Sequence, residues 1–174
     1  MAFPLSKRYH KFKTKAVAEF YLHINDLLEY DEVQQLDNYI QHYCFSRLKH
    51  SLDVAYCSFL IAKILGWDAR STARGALLHD LFHYDWRDED YDGKNHAMNH
   101  PKIAVENAKQ ITDLNRIEED IIRKHMWLVT LTPPRYKEGF IVTFVDKYCA
   151  TREFFFGVIS GKTSKTVAVD LPAA

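Results

Sequence analysis

The periodicity of the apolar residues constrains the fold of this chain more than any other feature. Long stretches of the 174 residues place apolar side chains at intervals of three and four, and only six glycines and five prolines interrupt them. This spacing gathers the apolar side chains on one face of an α-helix, whereas a strand would need strict alternation. The sequence therefore predicts an all-α fold, a single-domain helical bundle of about seven helices.

Glycines, prolines and capping residues suggest where these helices begin and end. The predicted helices cover residues 14–29, 32–43, 48–65, 69–83, 101–111, 115–129 and 136–156. Gly66 and Asp68 have the residue types of a C-cap and an N-cap, and Pro101 suits a first helical turn. Residues 85–99 are expected to form a loop. The predicted divisions are an N-terminal helical cap (1–45), a core (46–156) and an irregular C-terminal tail (157–174).

The charge balance and the cysteine content indicate which partners are disfavoured and which cellular compartment is expected. Lys and Arg together number 23, as do Asp and Glu, so the formal net charge is zero. This balance argues against nucleic acid or a membrane surface as the main partner. The three cysteines are widely spaced and form no CxxC motif, so they suit a reducing compartment. No secretory signal and no stretch long enough to span a bilayer is evident, and we expect a cytoplasmic protein.

The segment GALLHDLFHYD (75–85) places His79 and Asp80 side by side at the end of an apolar helical stretch. Four further ionisable residues also extend apolar helix faces: His50, His100, His125 and Asp146. Each alone is more simply explained as a satisfied core group or a helix-end residue. Six such groups buried together without a shared partner would be strongly destabilising. A divalent metal offsets that cost, since zinc, iron and manganese bind imidazole and carboxylate.

The order of these residues resembles the HD superfamily of metal-dependent phosphohydrolases. Three segments carry the resemblance: RLKHSLDVA around His50, ARGALLHDLFH around the His79-Asp80 pair, and IVTFVDKYCATRE around Asp146. Together they extend over residues 46–153. No GYP motif occurs in the chain, so the HD-GYP subgroup is not expected.

The resemblance implies a binuclear site in which Asp80 bridges two divalent metal ions, whether iron, manganese, zinc or magnesium. The implied ligands are His50, His79, Asp80 and Asp146 for the first ion, and Asp80, His100 and His125 for the second. His96 competes with His100, which is preferred because Pro101 would hold it at the start of a helix.

The same resemblance implies hydrolysis of a small phosphate ester, either a nucleotide or a phosphorylated metabolite, by a metal-activated hydroxide. Asp80 would orient that hydroxide or accept its proton. A phosphate substrate also needs cationic partners, and the candidates are Arg47 and Lys94. Either one is otherwise an ordinary solvated side chain. Lys147 is expected to lie at the surface or to support Asp146.

Two other functions fit the same ligands. One is a di-iron oxygenase of the HD type, because histidine and carboxylate ligands also suit iron. The other is a non-catalytic signalling or binding module, although a complete set of ligands favours an enzyme. The expected partner is a small phosphorylated substrate. The apolar segment REFFFG (152–157) is expected to pack in the core, with a homodimer contact as the alternative.

Overall fold

The computed structural model describes residues 7–42, 45–85 and 96–160. Their regular structure is almost entirely helical, which confirms the predicted all-α class. The helices are α1 (Lys7–Leu28), α2 (Asp31–Gln34), α3 (Arg47–Leu65), α4 (Ala69–Leu77), α5 (His96–Ile111), α6 (Arg116–Lys124) and α7 (Lys137–Ser160). A 3-10 helix (Gln35–Asn38) and a two-stranded antiparallel pair, β1 (Ile40–His42) and β2 (Phe45–Ser46), lie between α2 and α3.

The core forms around α3 and α4. These two helices pack against each other, α3 also packs against α7, and α4 also packs against α6. Gly75 makes the contact between α4 and α6 close, because a Cβ atom built on it would lie 3.0 Å from the Ile121 side chain. A larger residue at that position would push α4 and α6 apart. Among the described residues, none of the helices is long and apolar enough to cross a bilayer.

Both predicted caps between α3 and α4 are confirmed. Gly66 ends α3 with a φ of 67°, a left-handed conformation that costs glycine little. The Asp68 side chain accepts a hydrogen bond from the Ser71 amide and so caps the first turn of α4.

The predicted helix over residues 32–43 is wrong. Only Asp31–Gln34 is α-helical, and the chain then passes through the 3-10 helix into β1. Asp37 and Asn38 favour turns, and the β-branched Ile40 favours a strand. These local preferences override the apolar spacing of the segment, so Gln41 lies on a strand instead of a helix.

Two helices end earlier than predicted. α4 ends at Leu77 instead of residue 83, and α6 ends at Lys124 instead of residue 129. A histidine side chain lies just beyond each end, and its Nδ1 donates to a carbonyl of the last turn: His79 to Ala76 at 2.7 Å and His125 to Ile122 at 2.9 Å. Each imidazole thus takes a carbonyl that the next helical turn would use.

The other helices are longer than predicted. α1 begins at Lys7 instead of residue 14, and α7 continues to Ser160, into the segment expected to be irregular. α5 begins at His96, so residues 96–99 are helical, and Pro101 lies inside the helix instead of in its first turn. Proline removes one backbone hydrogen bond there, a cost that the remaining turns offset. Residues 86–95, including Lys94, and residues 161–174 lie outside the described part of the chain.

Candidate metal centre

The structure brings the six predicted histidines and aspartates to one buried centre, where none of their residues is more than 8% exposed. They come from five parts of the chain: His50 on α3, His79 and Asp80 in the turn after α4, His100 on α5, His125 after α6, and Asp146 on α7. The prediction that these groups share one environment therefore agrees with the geometry, although His79, Asp80 and His125 lie outside helices.

Three of the imidazoles are held in the same tautomer. The Nδ1 atoms of His79, His100 and His125 lie 2.7, 2.9 and 2.9 Å from backbone carbonyls three or four residues earlier. A carbonyl can only accept, so each Nδ1 carries the hydrogen and a neutral ring has its lone pair on Nε2. The Nε2 atoms face the common centre. This is the orientation that metal-ligating histidines usually take.

His50 lies between two carboxylates. Its Nδ1 is 3.0 and 3.1 Å from the two carboxylate oxygens of Glu153, and its Nε2 is 3.1 Å from Asp146 Oδ1. Burial by itself lowers the pKa of His50, but the hydrogen bonds to Asp146 and Glu153 outweigh it and raise the pKa to about 10. Without a metal, His50 is therefore an imidazolium that compensates both carboxylates.

Glu153 is a residue of this site that the sequence analysis missed. Its side chain is fully buried against His50. It follows Asp146 by two helical turns and so lies on the same face of α7, a spacing that could have identified it.

Asp80 lies between the imidazoles. Its Oδ1 is 3.3 Å from His100 Nε2 and 3.6 Å from His125 Nε2, while its Oδ2 is 3.4 Å from His79 Nε2. Gln41 of β1 donates a hydrogen bond to Oδ2. Burial raises the pKa of the Asp80 carboxyl, but His79 and then His100 outweigh it and hold that pKa well below its usual range. Asp80 is thus a carboxylate at neutral pH.

The centre contains buried polar atoms whose hydrogen-bonding capacity is unused. His79 Nε2 and Asp80 Oδ1 have no hydrogen-bond partner among the described residues. The Nε2 atoms of His100 and His125 are 2.9 Å apart. Burial, together with His79 and His100, lowers the pKa of His125 to about 3, so this ring is neutral. Burial lowers the pKa of His79, but Asp80 and then Asp146 outweigh it and raise that pKa, so a metal ion at this Nε2 would replace a proton. Buried polar atoms without a partner are costly in a protein interior unless a cation binds them.

The chemistry and spacing of these donors fit a divalent metal ion. The candidate ligand atoms of His50, His79 and Asp146 all lie within 4.8 Å of one another. The same holds for those of His79, Asp80 and His125. Imidazole nitrogens and carboxylate oxygens are the ligands that zinc, iron and manganese prefer.

A cavity of about 250 Å³ opens beside the centre. Besides the candidate ligands, its walls include Gln41, His96, Met126, Val129 and Lys147. His96 stacks on His100 with ring centroids 4.6 Å apart, and burial together with His100 lowers the pKa of His96 to about 4. His96 therefore forms part of the cavity wall, while His100 is the one whose Nε2 approaches Asp80. The helix-start argument for His100 fails, because α5 begins before Pro101.

Arg47 is fully buried and is not part of the cavity wall. Its Nε donates to Gln41 Oε1 at 2.8 Å, and its Nη1 and Nη2 donate to the carbonyls of Phe82 and Tyr84 at 2.5 and 3.2 Å. The guanidinium also lies 3.6 Å from the centroid of the Phe82 ring. Arg47 thus joins β1 to the chain after Asp80 and positions Gln41. The expectation that it contacts a phosphate does not fit this location.

Lys147 is the cation that the structure places at the cavity. Among the described residues that line it, Lys147 is the only lysine or arginine. Its Nζ lies 3.1 Å from the His125 carbonyl oxygen and 3.6 Å from Asp146 Oδ2, and its side chain is 30% exposed. A residue expected at the surface or in support of Asp146 therefore also faces the cavity.

A family model described as HD domain matches residues 47–151. The match begins at the first residue of α3, ends within α7 and includes all six candidate ligands. It confirms the resemblance inferred from the sequence motifs. No match to a curated protein or to a solved structure was found.

Proposed function

The chain belongs to the HD domain family, and from this premise we propose that it is a metal-dependent phosphohydrolase acting on a small phosphate ester. A nucleotide or a phosphorylated metabolite would fit this class. One observation carries the proposal: imidazole Nε2 atoms and two carboxylates converge on a buried centre beside a cavity. Such a centre needs a cation, and HD domains bind divalent metals.

The proposed ligands are those implied by the sequence motifs, with Asp80 between two metal ions. His50, His79, Asp80 and Asp146 would hold one ion, and Asp80, His100 and His125 the other. A bound divalent ion would polarise a phosphoryl oxygen and lower the pKa of a water molecule.

The chain's own residues would position the reactants. Gln41 donates to Asp80 Oδ2 and so fixes the carboxylate, which would orient the attacking water. Lys147 Nζ would neutralise charge on the phosphoryl oxygens. Met126 and Val129 form an apolar part of the cavity wall.

An activity panel with Asp80→Asn tests this proposal. Phosphomonoesters, nucleotides and phosphodiesters would be offered with added divalent metals, and phosphate release measured. We expect Asp80→Asn to lose metal and to lower turnover by about a thousandfold. His83→Asn is the matched control, because His83 bonds the Glu32 carbonyl outside the centre. Unchanged metal content and turnover in Asp80→Asn would contradict the proposal.

The same donors suit iron, so a di-iron oxygenase is the alternative that the panel must separate. Oxygen uptake by the iron-loaded chain would be followed with the same compounds. Oxygen consumption with a mixed-valent iron signal and no phosphate release would overturn the phosphohydrolase proposal. Bound metal without turnover of any kind would instead indicate a binding or signalling module.

A further inference from the structure

A second and larger cavity, of about 490 Å³, lies between α5, the end of α6 and the chain that follows α6. We call it the basic cleft. Its polar lining residues are Asn99, Lys102, Arg123, Lys124, Thr130 and Thr132. Among the described residues that line it, none is acidic or aromatic. These residues offer cations, hydroxyls and an amide to a ligand.

The basic cleft and the metal-site cavity share a wall. Ala97 and Val129 line the metal-site cavity, and their chain neighbours Met98 and Thr130 line the cleft. Consecutive Cα atoms are about 3.8 Å apart, so the cavities are neighbours along the start of α5 and along the loop after α6. A single ligand of extended shape could therefore contact both.

Two cations of the cleft, Lys102 and Arg123, are available to an anion. Lys102 is exposed and forms no ion pair with any described residue. Arg123 and Lys124 pair with Glu119 and Asp120, one turn earlier, at 2.6 and 2.8 Å. The Arg123–Glu119 pair is solvated and weak, and an arginine keeps further N–H donors for a ligand. Asp120 is only 8% exposed, so Lys124 is held more firmly by its partner.

The two cavities differ in their capacity for negative charge. Lys147 is the only lysine or arginine among the described residues lining the metal-site cavity, whereas the cleft has three. Lysine, arginine and hydroxyl donors together are typical partners of phosphate oxygens. We propose that the basic cleft binds a second phosphate-bearing group, so that the substrate carries a di- or polyphosphate chain. This inference rests on the proposed phosphohydrolase function.

Calorimetric titration with inorganic tripolyphosphate and with orthophosphate tests the proposal on the full, metal-loaded chain, with metal in excess over the anion. We expect tripolyphosphate to bind more tightly than orthophosphate. Lys102→Gln should weaken tripolyphosphate binding roughly tenfold, the loss of one charge-assisted hydrogen bond, and leave orthophosphate unchanged. Lys102→Arg should keep the affinity. Lys15→Gln removes the same charge from α1, outside the cleft, and should change neither anion.

Two results would overturn the proposal. One is equal affinity of the unmodified chain for both anions, and the other is an equal loss in Lys102→Gln and Lys15→Gln. The two proposals fail separately. If the chain hydrolyses phosphomonoesters but Lys102→Gln does not change its affinity for tripolyphosphate, only the proposal for the cleft is refuted. If Lys102→Gln weakens tripolyphosphate binding but the chain hydrolyses no phosphate ester, only the phosphohydrolase proposal is refuted.

Discussion

The two halves of the candidate metal centre deal with buried ionisable groups in opposite ways. Between α3 and α7, His50 lies between Asp146 and Glu153, and these carboxylates raise its pKa to about 10. Beside α5 and the end of α6, His100 and His125 face each other with Nε2 atoms 2.9 Å apart. There, burial and neighbouring imidazoles lower the pKa of His125 to about 3.

This difference determines what a metal ion must displace in each half. The half around His50 is compensated by a proton even without a metal, so a metal ion must displace that proton. His125, in the other half, presents a neutral lone pair, and no proton has to leave it. The first half therefore stabilises the metal-free fold, and the second mainly serves the ion.

The largest expected effect comes from exchanging one histidine in each half for glutamine. In the metal-free chain, His50→Gln removes the buried cation that Asp146 and Glu153 share and should lower the free energy of unfolding by about 3 kcal/mol. His125→Gln removes neutral hydrogen bonds and should cost about 1 kcal/mol. Chemical denaturation in the presence of a chelator measures both. Equal losses in the two variants would refute the distinction between the halves.

The next effect concerns Glu153, which holds His50 Nδ1. Glu153→Ala should weaken metal binding by roughly ten- to a hundredfold, because the orientation of His50 is lost. Glu153→Gln keeps an acceptor oxygen and should restore most of the affinity. Metal titration by calorimetry compares them. A purely structural role for Glu153 would lower stability in both variants and leave the metal affinity of the folded chain unchanged.

The most gradual effect is the pH dependence of the metal-free chain. The pKa of His50 is raised from 6.5 to about 10 on folding, so its contribution is complete below about pH 6.5 and is lost as pH rises through 10. Between about pH 7.5 and 9.5 the free energy of unfolding should fall by at most about 1.4 kcal/mol per unit for this proton. His125, neutral in both states there, contributes little.

Denaturation of the chelated chain across this pH range measures the slope. His50→Gln should reduce it by the part that belongs to His50, while His79, whose pKa Asp80 and Asp146 also raise, keeps its own part. If the unmodified chain and His50→Gln showed the same slope, the loss of stability would belong to other groups. The charge compensation of His50 by Asp146 and Glu153 would then need revision.

The elements that were predicted poorly are those where side chains compete with the helix backbone. His79 and His125 each take a carbonyl of the preceding turn, which ends α4 and α6 early although no glycine or proline occurs there. Apolar spacing cannot reveal this competition. The segment around Gln41 was missed because its strand preference and its helical spacing point in opposite directions.

The amino-acid sequence by itself determined the all-α class and the identity of the candidate ligands. Both follow from local properties: the 3.6-residue period of apolar side chains and the cost of burying ionisable groups without a partner. Only the tertiary structure decided that Arg47 is buried, that Glu153 and Gln41 hold His50 and Asp80, and that Lys147 faces the cavity. Those roles depend on which atoms meet across different helices, and that information is not local to any segment.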